Sequence, residues 1–186
     1  KTNYNNNNIK AESRQKMTNF PNRKLPRLKE FDYSRSGAYF VTICSHGKNH
    51  LFGEIKNGQI HLNGLGEIIN REILKIQIHY YNIEIDKYVI MPNHVHMIIC
   101  ILGAEGINPF PTKKNDISNV IGKFKAGVTR IAGNAFMHSE KTRIWQSSFH
   151  DHIIRDKEDY NKIWEYIDTN PLKWELDCFY NSKKEQ

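Results

Sequence analysis

The histidines His94 and His96, separated by one residue, begin an apolar stretch directly after Pro92 and Asn93. Residues two apart in a β-strand project from the same face and lie about 6.6 Å apart along the strand. Both imidazoles could therefore bind one divalent metal ion. An isolated pair of this kind is more often structural, each ring hydrogen-bonding only to the backbone. This pair lies where an apolar strand starts after a proline turn, and that position favours a functional site over a structural role.

A second pair with the same spacing, His150 and His152, also follows an aromatic residue and precedes an apolar stretch. Spacing alone does not separate the two pairs. No cysteine lies at zinc-ligand spacing from either pair, which argues against a tetrahedral zinc site. Two imidazoles with an oxygen donor leave coordination positions open for water and phosphate. Such a set favours catalytic Mg²⁺ or Mn²⁺ over structural zinc.

A candidate nucleophile, Tyr166, lies on the last predicted helix. It is roughly 110° away from the apolar stripe of that helix, at 100° per residue, and is free to face a groove. Asn170 follows one turn later and can bring an oxygen ligand above it. A phenolate is a competent attacker of phosphorus. Taken alone, the two residues are more often a half-exposed tyrosine and an asparagine that ends a helix. The stripe that should be buried consists of Tyr160, Ile163, Trp164 and Ile167.

The strands that would position these residues are predicted from β-branched and aromatic runs. Two of them form a hairpin that turns at Asn57-Gly58, a sequence typical of tight hairpin turns. The predicted strands cover residues 39–44, 51–55, 59–62, 83–91, 95–101 and 149–154, with 144–145 in the last strand region.

Helical spacing of apolar residues predicts helices over residues 63–79, 117–131 and 156–170. The last begins at Asp156, a good N-cap residue, and ends at Asn170, because Pro171 disfavours helical dihedrals in the residue before it. The order strand–helix–strand–strand–helix–strand is the split βαβ arrangement. We therefore predict a ferredoxin-like α+β sandwich with an antiparallel sheet and a C-terminal helix that carries the candidate nucleophile.

The chain has 186 residues, enough for one ordinary core and too few for two comfortable domains. Residues 1–20 are Asn-rich and should be disordered, with Met17 as a candidate natural start. Residues 21–36 contain two prolines among basic residues and should form an extended basic arm. We expect a single domain over residues 37–180 and a polar tail over 181–186.

The positive charge is concentrated at the N-terminal end. Residues 1–35 carry nine basic and three acidic side chains, so they hold +6 of the formal net charge of +7. A basic arm ahead of a nearly neutral domain suggests a polyanion as partner, most often nucleic acid, although a solvated tail would look the same. The basic residues that fit phosphate contacts are Arg23, Lys24 and Arg27 in the arm, and Lys123, Arg130 and Arg155 beyond it.

Composition excludes several other classes. The mean hydropathy is −0.66 and the longest apolar run is residues 97–102, whereas a transmembrane helix needs about 20 apolar residues. The first twenty residues also lack the apolar segment of a signal peptide. Three cysteines without a C-x-x-C pair argue against a disulfide framework. We expect no membrane partner and a reducing compartment, the cytoplasm.

Six segments, in this order, carry a resemblance to a known family. They are residues 21–27, 37–44, 50–55, 86–96, 145–155 and 166–171. The fourth ends in Met-Pro-Asn-His-Val-His, the fifth begins Trp-Gln-Ser-Ser-Phe-His, and the sixth reads Tyr-Ile-Asp-Thr-Asn-Pro. Together they resemble the REP-associated tyrosine transposases, a branch of the single-tyrosine HUH transposases named after repetitive extragenic palindromes. The resemblance covers roughly residues 20–175.

The resemblance implies a role for each matching residue. The HUH pair falls on His94 and His96, the nucleophile on Tyr166, and the third metal ligand, one helical turn later, on Asn170. His152 and Arg155 match positions of the Trp-Gln motif and are expected at the DNA. The resemblance also implies the ferredoxin-like fold.

The implied activity is cleavage and rejoining of single-stranded DNA at a hairpin or palindrome, with Mg²⁺ or Mn²⁺, through a 5′-phosphotyrosine intermediate. The sequence leaves open whether Tyr166 acts in cis or completes the site of a partner in a homodimer. Two alternatives remain at this stage. One is a catalytically inactive nucleic-acid-binding module of the same fold. The other is a metal hydrolase that uses water in place of Tyr166.

Overall fold

A computed structural model describes residues 35–103, 116–136 and 143–180. Its main sheet has four strands, β1 (Gly37–Cys44), β4 (Ile83–Ile90), β5 (His94–Ile101) and β6 (His150–Ile154). Their order across the sheet is β4-β5-β1-β6, and every neighbouring pair is antiparallel. The remaining strands, β2 (Gly53–Lys56) and β3 (Gln59–Leu62), form a separate hairpin. This is the order of the split βαβ fold, so the predicted ferredoxin-like architecture is confirmed.

The described residues also form three α-helices: α1 (Gly64–His79), α2 (Ile117–Phe136) and α3 (Lys157–Thr169). Local sequence signals explain where they begin. The side chain of Asn63 accepts hydrogen bonds from the amides of Leu65 and Gly66 and caps α1. Asp156 caps α3 in the same way through the amide of Asp159. No helix in the described ranges is long and apolar enough to cross a membrane.

The hairpin β2–β3 turns where the sequence predicts it. Asn57 and Gly58 both have positive φ, 51° and 71°, as a type I′ turn requires. Only asparagine, aspartate and glycine adopt this region readily, which is why the Asn-Gly pair is such a strong hairpin signal.

The two faces of the main sheet have different roles. Alternate residues of β1 and β5 point into the core, where they pack with α1 and α2. The intervening residues, among them Phe40, Thr42, His94 and His96, point to the other face. Helix α3 lies on that second face, against β4 and β5. The sheet therefore separates the main core from the layer in which the candidate chemistry lies.

One part of the sequence prediction for α3 is wrong. Of the stripe expected to be buried, Ile167 is fully buried and Tyr160 and Ile163 are half-buried, but Trp164 is 39% exposed. The ammonium of Lys87 lies 3.8 Å from the centre of its ring. Because α3 covers only part of an open sheet face, its buried stripe is narrower than the buried stripe of a helix packed in the core.

Several predicted segments fall outside the described residues. They are residues 1–20, the arm up to residue 34 with Arg23, Lys24 and Arg27, and the tail 181–186.

Candidate active site

His94 and His96 are the first and third residues of β5, an interior strand of the main sheet. The alternation of the strand places both imidazoles on the face covered by α3, with ring centroids 4.3 Å apart. Both side chains are fully buried. A buried imidazole needs hydrogen-bond partners. The partners of each ring therefore show which of its two nitrogens is free to bind a ligand.

The partner of His94 fixes which ring nitrogen is free. The amide nitrogen of Asn93 donates to the carbonyls of Lys48 (3.0 Å) and Phe179 (2.8 Å), so its amide oxygen faces His94. This oxygen accepts from His94 Nδ1 at 2.8 Å, which places the proton on Nδ1. His94 Nε2 then carries a lone pair, and it is buried without a hydrogen-bond partner among the described residues. This is the arrangement of a metal-ligating histidine with its outer partner.

His96 is held between β1 and α3. Its Nδ1 lies 2.8 Å from the hydroxyl of Thr42, which can accept or donate, and its Nε2 lies 3.2 Å from the hydroxyl oxygen of Tyr166. When Thr42 accepts from Nδ1, the lone pair of Nε2 is available to a metal ion. The ring of Phe40 packs against His96 at 5.1 Å and against the edge of Tyr166 at 6.1 Å.

Tyr166 lies near the C-terminal end of α3 with its side chain 38% exposed. Its hydroxyl donates to Asp177 Oδ2 at 3.0 Å. Burial, followed by the negative charge of Asp177, raises the pKa of Tyr166 above its ordinary value, so the phenol is protonated at neutral pH. The hydroxyl lies beside the His pair of the same chain.

Two oxygen donors, Asn170 and Asp177, follow Tyr166 along the chain and are hydrogen-bonded to each other. Asn170, the C-cap of α3, is buried; its amide nitrogen donates to Asp177 Oδ2 at 2.7 Å, and its amide oxygen has no hydrogen-bond partner within the described ranges. Asp177 lies beyond the helix, and one ligand atom from each of His94, His96 and Asp177 falls within 4.8 Å of the others. The sequence reasoning missed Asp177. Nothing in its spacing marks it, since it reaches the site only because the chain folds back after Pro171.

Residues after α3 close one side of the site. The rings of Trp174 and Phe179 lie 6.0 Å and 4.6 Å from the ring of His94. The carbonyl of Phe179 also accepts from Asn93, and its amide donates to Asp177 Oδ1 at 2.7 Å. These contacts exclude water from the His pair and explain its strong desolvation.

The second histidine pair does not belong to this cluster. His150 and His152 are exposed residues of β6, at the edge of the main sheet. His152 Nε2 pairs with Asp159 Oδ2 of α3 at 2.8 Å. Among the described residues, the first pair alone is part of a group that could hold a metal ion. The structure thus separates two pairs that spacing could not.

The predicted basic residues that the structure describes, Lys123, Arg130 and Arg155, are not gathered at Tyr166. Lys123 and Arg130 are exposed on α2, on the opposite side of the sheet, and the ammonium of Lys123 lies 5.6 Å from the ring centre of Tyr80. Arg155 is exposed between β6 and α3, and its backbone amide donates to Asp159. Among the predicted DNA-binding residues within the described ranges, only Arg155 and His152 lie on the elements that lead into α3.

The buried His pair predicts a pH-dependent stability of the metal-free protein. Burial, with a smaller contribution from Lys48, lowers the pKa of His94 to about 3, and burial lowers that of His96 well below 6.5. Below pH 6.5 the unfolded chain binds protons at these residues and the native chain does not, so the free energy of unfolding should fall as the pH falls from 7 to 5. Each histidine contributes up to about 1.4 kcal/mol per pH unit.

Urea unfolding at pH 7 and pH 5 measures this effect. The double variant His94→Gln/His96→Gln should lose less stability between the two pH values than the unmodified protein. His61→Gln, which removes an exposed histidine from β3, is the control. An equal loss of stability in the double variant and in the unmodified protein would contradict the assignment of this pH dependence to His94 and His96.

Comparison with known proteins places this arrangement in a family. A model of the family described as "Transposase IS200 like" matches residues 49–170. A Haemophilus influenzae protein of unknown function is 38% identical over 170 residues, covering 85% of this chain and 93% of that protein. Another protein of that organism, provisionally named a REP-associated tyrosine transposase, is 25% identical over 151 residues, 76% of this chain and 74% of its own.

The fold has a solved counterpart as well. The structure of a REP-associated tyrosine transposase bound to a REP hairpin aligns with a TM-score of 0.57 and 24% identity, covering 80% of this chain and 74% of that chain. The family match spans the His pair, Tyr166 and Asn170. The chain belongs to the IS200-like transposase family.

Proposed function

We propose that this protein is a metal-dependent endonuclease and strand transferase of single-stranded DNA that works through a 5′-phosphotyrosine intermediate. The observation that carries the proposal is the meeting of Tyr166 and the His pair, with the Tyr166 hydroxyl 3.2 Å from His96 Nε2. A nucleophile must lie beside the group that activates its target, and here both come from one chain. We therefore propose that Tyr166 acts in cis, without a homodimeric partner.

The residues at the site fit a bound divalent ion. His94 Nε2 and Asn170 Oδ1 are buried without hydrogen-bond partners among the described residues, which is costly unless a ligand satisfies them. We propose His94, His96 and Asn170 as ligands, with Asp177 as a further oxygen donor. Nitrogen and oxygen donors of this kind suit Mn²⁺ or Mg²⁺. Bound there, the ion would supply Lewis acidity to the scissile phosphate and to the departing 3′ oxygen.

The side chains of this protein supply the nucleophile and the acceptor of its proton. The hydroxyl oxygen of Tyr166 forms a bond to phosphorus while the bond from phosphorus to the 3′ oxygen breaks. The phenol proton passes to the Asp177 carboxylate, to which it is already hydrogen-bonded, and the 3′ oxygen takes a proton from water. A different 3′-hydroxyl can then attack the phosphotyrosine and reverse the step. The phosphodiester energy is conserved, so no nucleotide cofactor is needed.

Hairpin or palindromic single-stranded DNA is the substrate we propose, because the aligned transposase is bound to a REP hairpin. The basic arm over residues 21–36, with Arg23, Lys24 and Arg27, would bind phosphates next to the hairpin. Arg155 and His152 would bind DNA near the start of α3, and Lys123 with Arg130 would form a second contact on the outer face of α2. The bacterial relatives support the cytoplasm as the compartment.

The activity is tested by incubating the protein with palindromic single-stranded oligonucleotides and Mn²⁺ and resolving covalent products under denaturing conditions. A covalent protein–DNA adduct with a released 3′-hydroxyl fragment is expected. Binding without any adduct would support an inactive module. Cleavage without an adduct would support a hydrolase that uses water.

The ligand role of Asn170 leads to a separate prediction. Asn170→Ala should raise the Kd for Mn²⁺ by about tenfold or more. Mutation of a residue that only hydrogen-bonds to a metal ligand already weakens metal affinity by about 10- to 100-fold. Isothermal titration calorimetry measures the affinity. Thr169→Ala is a matched control, because Thr169 is the adjacent residue and its hydroxyl donates to the carbonyl of Glu165 within α3. Unchanged affinity in Asn170→Ala together with lost affinity in Asp177→Ala would assign the third ligand to Asp177 instead.

A further inference from the structure

The helix that carries Tyr166 has little apolar contact with the rest of the protein. Helix α3 lies against β4 and β5, and Ile167 is its one fully buried residue. Apolar burial of this extent does not fix the rotation or the axial position of a 13-residue helix. Polar contacts with the sheet therefore contribute to its placement.

A β-bulge in β4 supplies those contacts. Ile85 pairs with Ile99 and Lys87 pairs with Ile98, so Asp86 is an extra residue without a partner in β5. Before the bulge, Ile85 faces the core; after it, Tyr88 does, and its hydroxyl donates to Asn70 of α1 at 2.7 Å. The bulge therefore interrupts the alternation and turns two consecutive side chains, Asp86 and Lys87, toward α3.

These two side chains hold α3 at three points. Asp86 Oδ2 accepts from the hydroxyl of Tyr160 at 2.6 Å, and this hydrogen bond raises the pKa of Tyr160 to about 12. Lys87 Nζ pairs with Asp168 Oδ1 at 2.5 Å and lies over the ring of Trp164. Tyr160, Trp164 and Asp168 are four residues apart and form one stripe along the helix. Trp164 and Asp168 lie on either side of Tyr166 in the sequence. Their contacts with Lys87 therefore fix the helical turn that carries Tyr166.

We propose that Asp86 and Lys87 are positioning residues that set α3 on the sheet and thereby hold the Tyr166 hydroxyl at the His pair. The inference rests on the proposed function of Tyr166 and assigns the groups that place it. Neither residue touches the His pair. A displacement of about 1 Å at a reacting atom can reduce a rate by about 10²-fold, so the removal of one holding interaction should be visible in the chemical step.

The test compares Lys87→Met, which keeps the apolar stem without the charge, with Lys87→Arg, which keeps both the charge and the stacking. We expect Lys87→Met to form the adduct at least about tenfold more slowly under single-turnover conditions, and Lys87→Arg to restore the rate to within about threefold. The Kd values for Mn²⁺ and for hairpin DNA should stay within about twofold of the unmodified protein, because Lys87 lies outside the proposed metal site and its ammonium is engaged by Asp168 and Trp164. Asp168→Asn should slow adduct formation in the same way, and it replaces Lys87→Met in the test if that variant does not fold.

Lys162→Met is the matched control, since Lys162 lies on α3 and pairs with Glu158 of the same helix instead of the sheet. Its rate should not change. The position of Tyr166 can also be measured without activity, from nuclear Overhauser effects between its ring and that of His96. These effects should be observed in the unmodified protein and in Lys87→Arg, and should be absent in Lys87→Met.

The two failures are distinguishable. If the unmodified protein forms no adduct, while the Overhauser effects between the two rings disappear only in Lys87→Met, the proposed function is overturned and the positioning role stands. A Lys87→Met variant with an unchanged rate and unchanged Overhauser effects would overturn the positioning role.

Discussion

The Tyr166→Phe variant is expected to form no covalent protein–DNA adduct, with a rate reduced by about 10⁴-fold or more. The substitution removes the hydroxyl that lies 3.2 Å from His96 and leaves the ring, which packs against Phe40 and His96. Folding and hairpin binding should therefore persist. The rate is measured with an end-labelled palindromic oligonucleotide and Mn²⁺ by denaturing electrophoresis.

Tyr81→Phe is the control for this experiment, because Tyr81 is exposed and lies outside the site. It should form the adduct at the unmodified rate. An adduct that persists in Tyr166→Phe would assign the nucleophile to another residue. Cleavage at the unmodified rate without an adduct would mean that water attacks.

Loss of the histidine pair should have an effect of comparable size. His94→Ala and His96→Ala each remove a buried ring nitrogen from the proposed metal site, so Mn²⁺ affinity and adduct formation should both fall by more than about 100-fold, beyond the range of outer-shell partners. Calorimetry measures the affinity and electrophoresis the adduct. A chelator should stop the reaction of the unmodified protein, and excess Mn²⁺ should restore it.

The second histidine pair provides the control. His150→Ala removes an exposed imidazole with the same sequence spacing but outside the cluster. It should retain Mn²⁺ affinity and adduct formation. Equal losses in His150→Ala and His94→Ala would contradict the assignment of the metal site to the first pair.

The fold was predictable because its signals are local. Asn57-Gly58 specifies the hairpin turn, Asn63 and Asp156 specify two helix starts, and the apolar alternation of β5 specifies its two faces. Each depends on residues within a few positions of each other. The strand and helix order then leaves few topologies open.

The parts of the site that were not predictable depend on long-range geometry. Spacing did not separate His94 from His150, since both pairs lie on strands; they differ in the position of the strand within the sheet and in what packs over it. Asp177 comes to the site because the chain turns back after α3, which no periodicity records. Trp164 was expected to be buried because helical spacing does not tell how much of a helix its neighbour covers. The bulge at Asp86 likewise shows only in the register of β4 against β5.

The central claim is that Tyr166 becomes covalently linked to the 5′ phosphate of cleaved DNA. Mass spectrometry of the adduct after trypsin and nuclease digestion tests it most directly, since the tryptic peptide over residues 163–173 contains Tyr166 as its single tyrosine. We predict that this peptide carries a nucleotide joined through its 5′ phosphate to the hydroxyl oxygen of Tyr166. A nucleotide attached to any other peptide, or a cleaved oligonucleotide whose 5′ phosphate is attached to no peptide, would contradict the account.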